Sequence, residues 1–500
     1  MLEVADVERD PRRWLALVTC CCALFMTLLD VSVTNVALPS ISRATAASPS
    51  QLQWIVSGYT LAFGLVPVLA GRLGDDHGRR LMFQVGVGTF AATSMLAGFA
   101  PTAGVLIAAR VLQGLAGGLI NPQVSGLIQQ TFRGDERGRA FGVLGTTVGV
   151  GTALGPVVGG GLIALGGTHV GWRLVFFVNV PVGIAVIVLA RRLLPHDPAI
   201  GRHRLDVLGA ALLGCATFCV LFGSVEYDAL RDRRLAWLAV PALAFVALFV
   251  RRERRLTQLH RDPLIDLRLF RVPSYSAGVL LAITFFPAMA GIPLVLALYY
   301  QQGLGYTALQ SGLGVTAYAL GSAVAAPLAG RVITRVGRPL VVAGTVTFGA
   351  GATALAVLAA HAPPAGVALV LAPALFVMGA GSGSVITPNQ ALTLMEVDPV
   401  TGSTAGGVLQ TGQRIGLAIG QAVIGAVFFA SVSGPGTTAM RYSHALRMAI
   451  VAALGFVALA AAVGAADLIH NRRARAVPAR HSGHAANDAG RGGAASGGGA

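Results

Sequence analysis

The sequence predicts an all-α integral membrane protein with fourteen spans, built as two six-helix halves with an extra pair of helices between them. Three observations carry this. Of 500 residues 54% are hydrophobic and 12% charged, whereas soluble globular chains carry about 25% charged residues. The apolar residues fall in repeated runs of about twenty, the length that crosses roughly 30 Å of hydrocarbon. The segment AGRLGDDHGR at 70–79 recurs 259 residues later as AGRVITRVGR at 329–338, agreeing at five of ten positions. With the pair near 206–250 set aside, that offset amounts to six helices, a parallel internal repeat.

Residues 1–13 are expected to form a short cytoplasmic N-terminus. The first span, 14–38, follows Arg12 and Arg13; it is too long for a signal-peptide core and contains Asp30, so it reads as an uncleaved helix. Spans at 51–71, 81–100, 104–128, 140–165 and 171–190 complete a first half over 14–190. The inserted pair covers 206–225 and 235–250. The second half, 273–469, holds spans at 273–300, 307–328, 338–360, 364–388, 403–430 and 445–469. Residues 470–500 have too little apolar surface to fold and are expected to be a disordered cytoplasmic tail.

Orientation follows from charge. The net charge is +16, from 37 basic and 21 acidic residues, and every basic residue is Arg. With both termini cytoplasmic, 28 Arg fall inside, 5 outside and 4 in or at the edge of spans, as the positive-inside rule requires. The absence of lysine excludes a phosphate-binding P-loop and any Schiff-base cofactor, so neither ATP nor retinal or pyridoxal chemistry is expected. Cys20, Cys21, Cys22, Cys215 and Cys219 lie in apolar runs and predict no disulfide. The ten His show no metal-ligand spacing, so no metal site is expected. Gly349-x-Gly351-x-x-Ala354 lies within an apolar span with no preceding strand and is not a dinucleotide site.

Polar residues inside spans are the candidate functional groups. Asp30 in LLDVSVTNVALP is expensive in lipid and must face a cavity or a partner. Arg110 on the fourth span lies at similar depth, so the two form either a proton-carrying pair or a permanent ion pair between helices. Arg110, Gln113, Gly114, Gly117 and Asn121 share one helix face, which either lines a cavity or packs closely. Gly151, Gly155 and Gly159 form a stripe on the fifth span, with Pro156 supplying a kink, and this pattern reads as structural. Gln410, Arg414 and Gln421 share a face of the thirteenth span; Arg414 needs carbonyls, water, Asp30 or an anionic part of a ligand. Tyr299, Tyr300, Gln301 and Gln302 end the ninth span, as ligand contacts or as an interfacial aromatic belt. The cluster Arg251, Arg252, Arg254 and Arg255 is a topology signal or a contact for anionic lipid headgroups.

In its motifs the chain resembles the major facilitator superfamily, specifically the fourteen-helix drug:proton antiporter branch. LLDVSVTNVALP, GRLGDDHGRR, LIAARVLQGLAGG, GTALGPVVGG and GWRLVFFVNVPVG match that branch's motifs in order, and the likeness spans 14 to 469. The resemblance implies that Gly71, Asp75, Gly78 and Arg79 belong to a cytoplasmic latch between the halves. It also implies that Arg110 takes part in proton coupling, and that Gly155 and Pro156 bias the carrier towards export. Thr334 stands in the repeat where Asp75 stands in the first half, so a symmetric latch is not expected. Some members of the superfamily that handle divalent cations carry an acid in the tenth span; 307–328 has none here, so the resemblance implies monovalent or neutral substrates. The expectation is a monomeric, proton-driven exporter of a drug, antibiotic or other lipophilic compound in a bacterial cell membrane. It would need no cofactor and bind no nucleic acid. A proton-coupled importer, or a membrane receptor that transports nothing, are the alternatives.

Overall fold

The computed structural model describes residues 11–195, 206–230, 237–259, 261, 263–361, 366–432 and 436–476. The first half comprises α1 (Arg13–Thr45), α2 (Pro49–Leu65), α3 (Pro67–His77), α4 (Arg79–Phe99), α5 (Ala103–Thr131), α6 (Gly134–Phe177) and α7 (Asn179–Leu193). The inserted pair is α8 (Val207–Leu230) and α9 (Ala239–Gln258). The second half comprises α10 (Pro273–Leu298), α11 (Ala308–Gly314), α12 (Thr316–Val336), α13 (Arg338–His361), α14 (Val367–Met395), α15 (Gly402–Ser431) and α16 (Thr438–Ala476). The tail expected over 470–500 lies outside the described residues from 477 onward, and α16 continues to Ala476.

Among the described residues ten helices are long and apolar enough to cross a bilayer, or eleven if α2 and α3 count as one span bent by 48°. That bend, unforeseen in the 51–71 span, falls where Pro67 opens α3, since proline has no N–H to bond back into α2. The expected spans 140–165, 206–225 and 235–250 correspond to α6, α8 and α9, yet the apolar stretches of these helices are short. Glycine dilutes α6, where the apolar stretch is Val157–Gly167; α8 gives Val207–Gly223; and α9 turns from apolar to RRERR halfway along.

The internal repeat is visible in the backbone. Ser48 and Gln51 cap α2 reciprocally, and Thr307 and Gln310, 259 residues later, cap α11 in the same way. Gly78 and Gly337, also repeat partners, both take positive φ, 96° and 67°, where the chain turns from one helix into the next. Gly71 and Gly330 each allow the halves to touch. A Cβ on Gly71 would lie 2.3 Å from the Ser403 carbonyl oxygen on α15, and one on Gly330 would lie 2.6 Å from the Gly138 carbonyl oxygen on α6.

Two seams therefore join the halves, α3 and α5 against α15 on one side, and α12 and α14 against α6 on the other. Within the first half, α6 lays its glycine stripe on α1. Cβ atoms at Gly151, Gly155 and Gly159 would come within 3.2 Å of Leu28, 2.1 Å of Ser32 and 2.9 Å of Val33. The break in α6 among the described residues is at Gly167 (φ 71°, ψ 173°). The expected Pro156 kink concerns a side chain outside the described residues, and the helix runs on through position 156. α8 packs on α9, α2 and α15.

Candidate functional site

Asp30, about halfway along α1, meets α5 and α7 in a buried cluster. Its Oδ2 accepts from Arg110 Nη1, and its Oδ1 accepts from Gln113 Nε2 at 3.0 Å and Asn179 Nδ2 at 2.8 Å. Arg110 donates further to Gln113 Oε1 at 2.8 Å and to the Ile55 carbonyl at 3.2 Å. Asn179 donates also to Ser94 Oγ at 3.0 Å, and Ser94 to the Phe176 carbonyl at 2.9 Å. All four of Asp30, Arg110, Gln113 and Asn179 are 1% exposed or less. The guanidinium lies over the Tyr59 ring, 4.2 Å from its centroid, and 5.8 Å from that of Phe176. Arginine does not lose its proton in proteins, so the carboxylate is the member of this cluster that can change charge.

Two cavities lie between the halves. The larger, about 410 Å³, is bordered by α1, α2, α5, α8 and α15 and is lined by Thr27, Ser32, Tyr59, Phe63, Leu221, Arg414 and Gln421 among others. The smaller, about 240 Å³, reaches Ser125, Phe286, Gln390, Gln410 and Gln413. They share Leu28, Asn121, Arg414 and Leu417, so they adjoin. The larger has the size of pockets that enclose drug-sized molecules, roughly 300–1,000 Å³.

The end of the bundle that carries Arg72, Arg79 and Arg137 is stitched shut below them. Asp75 accepts from the backbone N–H groups of Ser403 at 3.1 Å and Thr404 at 2.8 Å, and from Thr404 Oγ1 at 2.8 Å. These are the first residues of α15, where free N–H groups and the helix dipole favour an anion. Arg79 holds the same carboxylate, Nε at 3.2 Å and Nη2 at 2.9 Å, and crosses the seam to the Val400 carbonyl at 3.1 Å and to that of Pro399. Gln129 donates to the Gly402 carbonyl at 3.2 Å, and Gln390 to Ser125 at 3.1 Å. The repeat counterpart Arg338 does not cross between halves. It pairs with Asp467 on α16 at 2.6 Å, and donates to Asn389 at 3.2 Å and to the Ser274 carbonyl.

The structure thus groups Asp30, Arg110 and Gln113, places Gln410 and Arg414 on the cavities, and sets Gly71, Asp75 and Arg79 on the seam. Gln113, expected on the cavity wall, instead faces Asp30. Tyr299, Tyr300, Gln301 and Gln302 line neither cavity. A π-helical turn at Tyr299–Gly303 swings them towards α11 and α16, where Tyr300 stacks on Tyr306 and Gln302 accepts from Tyr442 at 3.1 Å. The sequence reading missed Asn179, Ser94 and Asp467. Asn179 is a lone amide in the apolar run VFFVNVPV, and that isolation is the signal that could have found it.

Two repeated helical lobes packed around a central cavity, with charged groups buried at their core, define a membrane transporter of the two-lobed carrier class. The chain belongs to the Major Facilitator Superfamily, whose family model matches residues 20–312 and 278–486. It is 37% identical over 434 residues to the probable actinorhodin transporter of Streptomyces coelicolor, covering 86% of this chain and 75% of the relative. It is 34% identical over 466 residues to a puromycin resistance protein of Streptomyces alboniger, covering 90% of each. Its fold is similar to that of a solved human organic anion transporter, with TM-score 0.64 and 14% identity over 91% of this chain and 100% of the other.

Proposed function

We propose that the chain is a fourteen-span, proton-coupled exporter of a small lipophilic compound of the antibiotic or drug type, working by alternating access. The observation that carries this reading is the buried Asp30–Arg110 pair set one aromatic ring away from the cavity between the lobes. Tyr59 is that ring: Arg110 lies over it, and it lines the larger cavity. A relative named for tetracenomycin C resistance and export supports the same direction of travel.

In this reading both termini and the Arg-rich end are cytoplasmic, the halves are 14–190 and 273–469 with 206–250 inserted, and the monomer needs no cofactor. The contacts of Asp75 and Arg79 describe the state closed to the cytoplasm. A proton reaching Asp30 neutralises the carboxylate and removes the charge partner of Arg110. The stacked guanidinium must then find new acceptors, and α1, α5 and α7 repack around it. Export is the return of the other state, with Gly155 and Gly159 letting α1 slide close on α6. One proton falling through about 100 mV and one pH unit supplies about 3.7 kcal/mol. That sustains a substrate gradient of several hundredfold.

Inverted vesicles given a panel of hydrophobic reporter dyes of each charge from outside test the reading. Asp30→Asn should abolish pH-driven transport of every dye the wild type moves while leaving expression intact. Undiminished transport overturns the role of Asp30, and accumulation inside right-side-out vesicles under an inward proton gradient establishes import instead.

A further inference from the structure

Among the described residues, three arginines within the helical bundle are held by acceptor groups of the protein, and Arg414 is not. Arg110 holds Asp30, Arg338 holds Asp467, and Arg173 donates to the carbonyls of Gly98 at 2.6 Å and Ala100 at 3.1 Å. Arg414 has no acceptor within hydrogen-bonding distance among the described residues, and it is the one charged side chain among those lining either cavity. No acidic residue occurs anywhere in α10, α12, α13, α14 or α15. The carboxylate of Asp30 is turned into its own cluster, where it accepts from Arg110, Gln113 and Asn179.

The environment of Arg414 is also directional. Its guanidinium carbon stands 4.2 Å over the centre of the Phe63 ring, so one face is covered by an aromatic ring. A guanidinium stacked on its face keeps its in-plane N–H donors free, and those donors match a planar, two-oxygen acceptor. Around it the cavity offers the rings of Tyr59 and Phe63, the apolar side chains of Leu28 and Leu417, and the amides of Asn121 and Gln421.

We infer that Arg414 is the anion-binding residue of the central cavity, and that the preferred substrate is a planar aromatic monoanion carrying a carboxylate or a comparable two-oxygen acceptor. The word substrate rests on the exporter reading above; the binding site does not. Tyr59 and Phe63, with ring centroids 5.9 Å apart, separate this guanidinium from that of Arg110. The two cations therefore face different anions, Asp30 on one side and the cargo on the other. Exchange of an entering proton for a leaving monoanion moves two positive charges inward per cycle, whereas exchange for a cation moves none. Each 100 mV then contributes about fiftyfold per charge to the attainable gradient.

The test uses three pyrene probes that share a ring system and differ in charge: pyrene-1-carboxylate, pyren-1-ylmethanol and pyren-1-ylmethylammonium. Fluorescence titration of the purified protein in detergent, with no gradient present, should find the carboxylate bound roughly tenfold or more tightly than the other two. Arg414→Gln should reduce that preference to about twofold or less while leaving binding of the alcohol unchanged, and Arg414→Lys should restore part of it. A carboxylate that binds no better than the ammonium probe, or a preference that survives Arg414→Gln in protein with a wild-type melting profile, overturns the inference. Either outcome leaves the Asp30 reading standing, since that is decided by pH-driven flux across dyes of every charge. Loss of flux in Asp30→Asn with the anion preference intact separates the two in the other direction.

Discussion

Neutralising Asp75 removes the stitch that closes the Arg-rich end. The carboxylate takes three bonds from the start of α15, at 3.1, 2.8 and 2.8 Å, and two from Arg79, at 3.2 and 2.9 Å. In Asp75→Asn the amide keeps one acceptor oxygen but turns an N–H₂ group towards donors, either the two of Thr404 or those of Ser403 and Arg79. Bonds to a charged group are worth about 1.5–3 kcal/mol each, and they are not additive. Breaking one partner of a buried pair costs about 3–5 kcal/mol, which bounds the total. The closed seam should lose on the order of 3 kcal/mol, a shift of roughly a hundredfold in its opening equilibrium. Hydrogen exchange read by mass spectrometry on peptides covering 399–408 measures this directly, because the Ser403 and Thr404 amides are themselves bonded to Asp75. Exchange there should accelerate by about that factor, with peptides from α13 unaffected. Exchange unchanged to within about twofold would refute the reasoning, because it would mean the helix terminus is held by packing at Gly71 rather than by the carboxylate.

Two further outcomes follow from particular contacts. Gly155→Ala places a Cβ 2.1 Å from Ser32 Oγ, so the purified protein should lose about 1–3 kcal/mol of stability. Ser32→Gly should recover much of that loss in the double variant, and equal melting of wild type and Gly155→Ala would remove the α1–α6 contact from the account. At the Arg-rich end of α9, beyond its apolar stretch, Glu253 accepts from the Ile265 N–H at 3.2 Å and is held by burial at a pKa of about 7 against an ordinary 4.5. Its folded pKa is raised, so the folded form holds the extra proton. The docking of 264–266 on α9 is therefore firmest at low pH and weakens as pH rises from about 4.5 to about 7, changing little above that. Exchange at Ile265 should follow this trend in the wild type and be flat in Glu253→Gln; a flat wild-type profile would contradict it.

Much of this molecule was legible before any coordinates, because lipid penalises unpaired charge. Asp30 and Arg110 had to find partners, and their depths along α1 and α5 already matched. The repeat was legible because turns demand particular residues, as at Gly78 and Gly337. Neutral polar groups gave no comparable signal. Asn179 and Ser94 complete the Asp30 cluster, yet an amide or hydroxyl in an apolar run costs little enough to pass unnoticed. Tyr299 to Gln302 misled for the opposite reason: aromatic and amide residues at a helix end have one composition whether they face a cavity or a neighbouring helix, and the π-turn that decides between them has no clear sequence signature. Gln113 shows the same limit at finer scale, since its face was right and its partner was not. Three of the fourteen expected spans are helices whose apolar stretches are short, because twenty residues rich in glycine or ending in arginine look like a span only when their neighbours are counted with them.

The inserted pair also shapes the cavity between the lobes. Leu221 of α8 lines the larger cavity and packs with Leu61 of α2 and Ala418 of α15, while Phe222 approaches Trp54 with ring centroids 6.1 Å apart. A helix that belongs to neither lobe thus forms part of the wall of the chamber between them. The width of that chamber at Leu221 is a dimension that the extra pair, rather than the two lobes, controls.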